Sequence, residues 1–165
     1  MPLSETLLNE FDHEMKVTRT MLERVPLENG PWKPHTKSRG IGALASHIAY
    51  IPGLGGRIAS SSEYDATSPD ASKPRGEFTT TEALLAEFDT NVAFARDAIA
   101  KLSDADFMAP WSFKRGGQVM LSGARAQMLR SMLMNHLIHH RGQLSVYLRL
   151  NDVPLPPVYG PTADS

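Results

Sequence analysis

The chain has 165 residues, of which 41% are hydrophobic and 21% charged, a composition typical of a folded globular protein rather than a disordered chain. The 17 Lys and Arg nearly balance the 18 Asp and Glu, and this net charge of −1 argues against a dedicated nucleic-acid-binding protein. There is no cysteine, which excludes disulfides, iron–sulfur clusters, thiolate zinc sites and a cysteine nucleophile. Any metal must therefore be held by nitrogen and oxygen.

The length and the N-terminus predict one cytoplasmic domain. A chain of this size makes about one ordinary domain, so we treat residues 1–165 as a single unit. Residues 1–16 are acidic and lack the apolar run of a secretory signal. No stretch of about 18 apolar residues follows. We therefore expect a soluble protein without a membrane partner.

The first half of the chain predicts two helices. Residues 4–24 place apolar side chains at spacings of three and four, with Ser4 as the N-cap, and Pro26 ends the helix. A second helix is predicted after Ser38. Pro52 should kink or end this helix, because proline lacks a backbone donor, although the glycine-rich segment beyond it can resume the helix.

The second half predicts two more helices. Thr79–Glu82 has the pattern of a capping box and opens the third helix. Residues 103–117 are irregular, with a short strand or hairpin. The fourth helix begins near Ser122 and runs to about Leu150. The tail, residues 152–165, is rich in proline and is predicted to be non-helical.

Four amphipathic helices in one chain most simply form a four-helix bundle, so the predicted fold class is all-α. Two connections are long: residues 60–79 between helices 2 and 3, and residues 103–121 between helices 3 and 4. Loops of this length are often functional or mobile. They also leave the order in which the helices run up and down the bundle open.

The densest chemical signal is NHLIHHRGQL, residues 135–144. His136 and His140 are one helical turn apart, about 6 Å along the axis and about 40° around it, so both imidazoles can bind one metal ion. His47 is the best third ligand, because it lies at the edge of the apolar face of the second helix. The alternative is a set of hydrogen-bonded core histidines. We favour the metal, because three histidines share the pattern.

The other histidines have weaker claims. His139 lies about 100° around the helix from His140 and should miss the same ion. His13 and His35 have no pattern that sets a pocket apart from exposure. A carboxylate di-iron site needs two Glu-x-x-His motifs, and only Glu10–His13 provides one, so we reject it.

Charge also predicts what the metal site would bind. Residues 107–151 contain no Asp or Glu. Three neutral imidazoles would leave the full +2 charge of the ion, so the site should favour an anion, a thiolate or a hydroxide.

Three segments carry a resemblance to a known family: WKPHTKS at 32–38, LASHIAYIPG at 44–53 and NHLIHHRGQLSVYLRLNDVPLPPVYGP at 135–161. With these segments and the spacing between them, the chain resembles the DinB-like proteins of the DinB/YfiT-like superfamily. The family is grouped as damage-inducible, metal-binding four-helix bundles. The most specific element is HxxxHRGQL, which begins at His136.

The resemblance implies a metal-binding triad made of one histidine of the second helix and two of the fourth. By motif these are His47, His136 and His140, the same residues that the spacing indicates. It also implies a homodimer and a divalent metal that differs among members. Relatives in the superfamily use low-molecular-weight thiols in transfer or isomerisation reactions, while many members have no assigned activity.

Two functions are therefore predicted. In the first, Zn²⁺ or Ni²⁺ activates a thiol or a water molecule toward a small-molecule substrate, as in a thiol S-transferase or a hydrolase. In the second, the metal is structural or adventitious and the protein is a non-catalytic module. A structural site should close with a fourth protein ligand such as His13 or Glu14. The sequence assigns no catalytic residue in either case.

Overall fold

The computed structural model describes residues 1–69 and 75–164, so residues 70–74 of the predicted 60–79 connection lie outside the described part. The protein is mostly helical, as predicted, and carries a small three-stranded sheet. The helices are α1 (Leu3–Leu22), α2 (Ile41–Ser60), α3 (Thr81–Ala100), α4 (Asp104–Met108), α5 (Arg125–Met128) and α6 (His136–Leu150). The strands are β1 (Glu63–Asp65), β2 (Pro110–Arg115) and β3 (Gln118–Ala124).

Two short helical segments complete the chain. A 3₁₀ turn, Leu27–Asn29, follows α1. A π-helical segment, Leu129–Asn135, joins α5 to α6, and the residues at both junctions keep right-handed helical angles. Residues 125–150 therefore form one continuous helical rod, which we call the C-terminal rod.

The helix ends differ from the predicted ones at several points. Helix α1 begins at Leu3 with Pro2 at the N-cap, so Ser4 is inside the first turn. The N-cap of α3 is Thr80, one residue after Thr79, where the predicted box begins, and its hydroxyl accepts a hydrogen bond from the Ala83 backbone at 3.3 Å. The structure has its capping box at Ser103, at the start of α4.

Helix α2 passes through Pro52 without ending. Close packing on both sides of the glycine-rich segment accounts for this, because tertiary contacts outweigh weak local propensity. A Cβ at Gly55 would lie 2.5 Å from the Leu133 side chain, and one at Gly56 would lie 2.4 Å from the ring of Phe94. A larger residue at either position would force Leu133 or Phe94 to move, so glycine allows α2 to lie this close to the π segment and α3.

The predicted 103–121 connection is largely structured, and Glu63–Asp65 of the 60–79 connection form a strand, which corrects the expectation of an all-α fold. Strands β2 and β3 form an antiparallel hairpin, and β1 pairs with β2 in parallel. Gly116 and Gly117, at φ of 60° and 79°, make the two-residue turn that such hairpins favour. Asp65 accepts hydrogen bonds from both glycine backbone amides, which ties β1 to the turn. Because β3 includes Ser122, the C-terminal rod starts at Arg125 rather than near Ser122.

A single hydrophobic cluster lies between α1, α2, α3 and the C-terminal rod, and Phe107 and Trp111 extend it toward the sheet. The described tail, residues 152–164, contains no helix. No helix in residues 1–69 or 75–164 is both long and apolar enough to cross a membrane.

One charged cluster lies inside this core. Arg141 of α6 is 2% exposed and pairs with the carboxylate of Glu14 at 2.6 Å. It also donates to Thr18 Oγ1 at 3.2 Å and to the hydroxyl of Tyr159 at 2.6 Å. We call these four residues the Arg141 cluster. Its contacts link α1 and the C-terminal tail to α6.

Candidate metal centre

Helix α2 and the C-terminal rod bring three histidines together. His136 is the first residue of α6, His140 is one turn further on, and His47 faces them from α2. The ring centroid of His47 lies 5.1 Å from that of His136 and 4.6 Å from that of His140. One ligand nitrogen from each of the three rings lies within 4.8 Å of the other two. We call this group the histidine triad.

The π segment ends where the triad begins. It spans seven residues and runs directly into His136. Segments of π-helix are rare, usually a single turn, and often lie at functional sites. Leu133 of this segment contacts α2 next to Gly55, so the segment also sets how close the two helices come. Nothing in the sequence indicates this segment, because an apolar spacing of three and four residues does not distinguish one wider helical turn from an ordinary one.

A hydrogen bond orients one of the three rings. Nδ1 of His140 lies 2.7 Å from the side-chain oxygen of Gln143, so Nδ1 carries the proton and Nε2 keeps its lone pair. Such an outer contact fixes the tautomer and orientation of a metal-ligating histidine.

Burial keeps the triad neutral. The pKa of His47 falls from 6.5 to about 4, first because burial disfavours the charged imidazolium and next because Arg39 lies nearby. Burial also lowers the pKa values of His136 and His140. Metal ions bind the neutral imidazole, so at neutral pH the three rings are in the form that a ligand needs.

The geometry fits a divalent ion. Nε2 of His47 and Nε2 of His136 are 3.2 Å apart. Two nitrogens on one tetrahedral zinc ion, each bonded at about 2.0–2.1 Å, are about 3.3 Å apart. The three residues are half-buried rather than part of the closed core, which favours ligands over core histidines. Three imidazoles suit Zn²⁺ and Ni²⁺ alike.

The remaining candidates lie elsewhere. The ring of His139 is 5.0 Å from that of His140, but His139 is exposed and is not part of the triad. His13 and His35 are both exposed and also outside it. Glu14 is committed to the Arg141 cluster. Within the described part of the chain, no fourth His, Asp or Glu completes the triad.

A cleft of about 230 Å³ leads to His47. One side of the cleft is formed by residues between 39 and 50, in the first half of α2 and just before it. The other side is formed by residues 75–77, before α3. The lining residues are Arg39, Ala43, Ser46, His47, Tyr50, Arg75, Gly76 and Glu77. Our sequence interpretation missed this cleft. Arg39 could have been found, because it lies just before the helix that carries His47, within about two turns of it along the axis. Arg75 could not, because its place depends on tertiary structure.

The sequence matches the profile of the DinB family over residues 1–164. A DinB-like protein of Bacillus cereus ATCC 10987 is 20% identical, with a TM-score of 0.71 over 96% of this chain and 98% of its own. A DinB-like protein of Bacillus subtilis is also 20% identical, with a TM-score of 0.73 over 95% of this chain and 99% of its own. None of the curated proteins matches the chain. At this level of identity, the two structures show the shared fold alone.

Proposed function

The chain belongs to the DinB family, and on this premise we propose that its histidine triad holds one divalent metal ion, Zn²⁺ or Ni²⁺, at an open site. The supporting observation is the convergence of His47, His136 and His140 within ligand distance, without a fourth protein ligand in the described residues. Catalytic zinc sites commonly have three protein ligands and leave the next position to water or substrate, whereas structural sites close with four.

The chemistry we propose is activation of a thiol or a water molecule. A divalent metal held by the histidine triad would supply Lewis acidity, which lowers the pKa of a bound thiol or water and yields a nucleophile at neutral pH. The chain supplies the rest. Burial holds the three imidazoles neutral, and Gln143 orients one of them. The cleft beside His47 gives a small substrate access to the triad.

Thiol transfer is our first choice between the two reactions, and hydrolysis is the second. The preference rests on the resemblance to superfamily relatives that use low-molecular-weight thiols. The site would then bind such a thiol as a cofactor in addition to the substrate. It also agrees with the neutral ligand set, which leaves the ion's charge for an anionic thiolate. We assign no general acid or base.

The assembly that we propose is a homodimer of four-helix bundles of the DinB/YfiT-like type, acting in the cytoplasm. Exposed apolar side chains on α6, Val146 and Leu150, each 56% exposed, support an association through this helix. Sedimentation of the purified protein measures this directly: we expect twice the chain mass of 18.1 kDa.

The alternative is a non-catalytic module in which the metal stabilises the fold or is adventitious. The half-buried position of the triad between α2 and the C-terminal rod is the observation that keeps this alternative, because an ion there would also join two parts of the fold.

Spectroscopy of the cobalt-substituted protein separates these functions. We expect Co²⁺ to give a tetrahedral visible spectrum, and 2-mercaptoethanol to shift it and add a sulfur-to-cobalt charge-transfer band. Azide should shift the same bands if the open position takes anions in general. A bound cobalt ion that responds to neither reagent would have a closed coordination sphere, which would support the structural module.

A further inference from the structure

We infer that Arg39 and Arg75 recognise an oxyanion group, a carboxylate or a phosphate, on the ligand that reaches the histidine triad. The substrate class that follows is a small anionic molecule whose acidic group lies close to its metal-binding atom. This inference deepens the proposed function and rests on the metal site proposed above.

The two arginines share one cleft with His47 of the triad. Arg39 lies just before α2, and Arg75 lies in the segment that leads to α3; both line the cleft that ends at His47. The guanidinium carbon of Arg75 lies 5.1 Å from the centre of the Tyr50 ring, a cation–π distance that holds the arginine over α2. Arg75 also lines a smaller cavity of about 50 Å³ shared with His47 and His136.

The arginines of the cleft differ from most arginines of this chain. Within the described residues, five arginines form ion pairs with carboxylates: Arg19, Arg96, Arg130, Arg141 and Arg149. Arg125 instead donates to three backbone carbonyls. Neither Arg39 nor Arg75 forms an ion pair with a described residue, although Glu77 lines the same cleft. Both arginines thus line the cleft without a carboxylate partner among the described residues, so each guanidinium can bind a ligand through two parallel hydrogen bonds.

The charges around the cleft favour an anion. Three neutral imidazoles leave the metal's charge uncompensated, and two guanidiniums add to it against the single carboxylate of Glu77. Planar guanidiniums bind planar or tetrahedral oxyanions through two parallel hydrogen bonds, which is why the ligand group is a carboxylate or phosphate.

Matched thiols test the inference on the cobalt-loaded protein. We would titrate 2-mercaptoethanol, 3-mercaptopropionate and 2-mercaptoethyl phosphate, which differ in the group beside the thiol, and follow the sulfur-to-cobalt band. Arg39→Gln and Arg75→Gln should each weaken the anionic thiols by about fivefold, the upper end for solvent-accessible charge pairs, and leave the neutral thiol unchanged. Whichever anionic thiol gains more from the arginines identifies the carboxylate or the phosphate as the preferred group.

Two further variants make the comparison specific. Arg115→Gln removes the same charge at the end of β2, outside the cleft, and should leave all three affinities unchanged. Glu77→Gln should strengthen the anionic thiols, because it removes the one carboxylate of the cleft. Unchanged binding of 2-mercaptoethanol in each variant shows that the fold and the metal site are intact.

The outcomes separate the two proposals. An anionic preference that survives in the Arg39→Gln/Arg75→Gln double variant would come from the metal alone and would overturn the inference, while the metal site would stand. If no thiol changes the cobalt spectrum, the proposed thiol transfer is wrong. Binding of inorganic phosphate to the metal-free protein, followed by NMR, then decides: loss of binding in the double variant supports the arginine pair, and equal or absent binding overturns it.

Discussion

Two consecutive residues of α6 lie in opposite kinds of polar surroundings. Arg141 is buried, and the Arg141 cluster supplies a partner from within the chain to both of its terminal nitrogens. His140 is half-buried, and its outer nitrogen is held by Gln143 while its Nε2 edge faces His47 and His136. About 100° of helix rotation separates these two environments.

The difference shows how to tell structural from functional polar groups in this protein. A buried charge is tolerated when its hydrogen bonds are satisfied internally, and the Arg141 cluster meets that condition. The histidine triad brings three ligand nitrogens together, and no described side chain supplies a cation or a donor that all three could bind. Such a group needs a partner that the chain does not supply. Substitutions in the Arg141 cluster should therefore change stability, and substitutions around the histidine triad should change metal binding.

The largest expected effect is on the Arg141 cluster. Arg141→Met should lower the free energy of unfolding by about 3–5 kcal/mol, because it leaves the carboxylate of Glu14 buried without its partner. Urea unfolding of the purified protein measures this loss. The double variant Arg141→Met/Glu14→Leu should recover much of it, since both charges are then removed.

A surface pair provides the control for this prediction. Arg130 pairs with Glu10, and both side chains are more than a third exposed. Arg130→Met should therefore cost less than about 1 kcal/mol. If Arg141→Met costs no more than Arg130→Met, the buried cluster does not stabilise the fold in the way described.

A smaller effect is expected on the outer contact of the triad. Gln143→Leu removes the acceptor that orients His140 and should weaken metal binding by about tenfold. Gln143→Glu keeps an acceptor and should retain the affinity. Competition with a coloured chelator measures both. Equal affinities in the wild type and Gln143→Leu would show that this hydrogen bond does not orient a ligand.

The smallest effect concerns acid. In the metal-free protein, the folded chain holds the pKa of His47 at about 4, below the usual 6.5, so between these values the unfolded state binds more protons. The free energy of unfolding should therefore fall as the pH falls from about 6.5 to about 4. His47→Gln should make this slope shallower. An NMR titration that finds the His47 pKa at or above 6.5 would contradict the burial argument.

The sequence predicted those parts of the molecule that depend on local geometry. The spacing of His136 and His140 follows from one helical turn, and His47 follows from its place at the edge of an apolar face. The four long helical regions follow from apolar periodicity. These features need no knowledge of the neighbouring elements.

Features that depend on distant partners were missed or misplaced. Strand β1 pairs with β2 across 49 positions, Glu63 opposite Ser112, and nothing in three residues of sequence specifies that pairing. The sequence predicts the start of a helix near Ser122, but Ser122 pairs with Ser112 in the β2–β3 hairpin. Tyr159 reaches Glu14 across nearly the whole chain. Pairings of this kind are decided by tertiary packing, which single-sequence patterns do not carry.

Metal content of protein purified without a histidine tag tests the central claim most directly. The wild type should carry about one equivalent of zinc or nickel per chain, or take it up when the metal-free protein is titrated. His136→Ala should lose it, and His139→Ala, the same change on an exposed histidine of the same helix, should keep it. A wild-type protein that neither carries nor takes up metal, or a His136→Ala variant that binds as well as His139→Ala, would contradict the account.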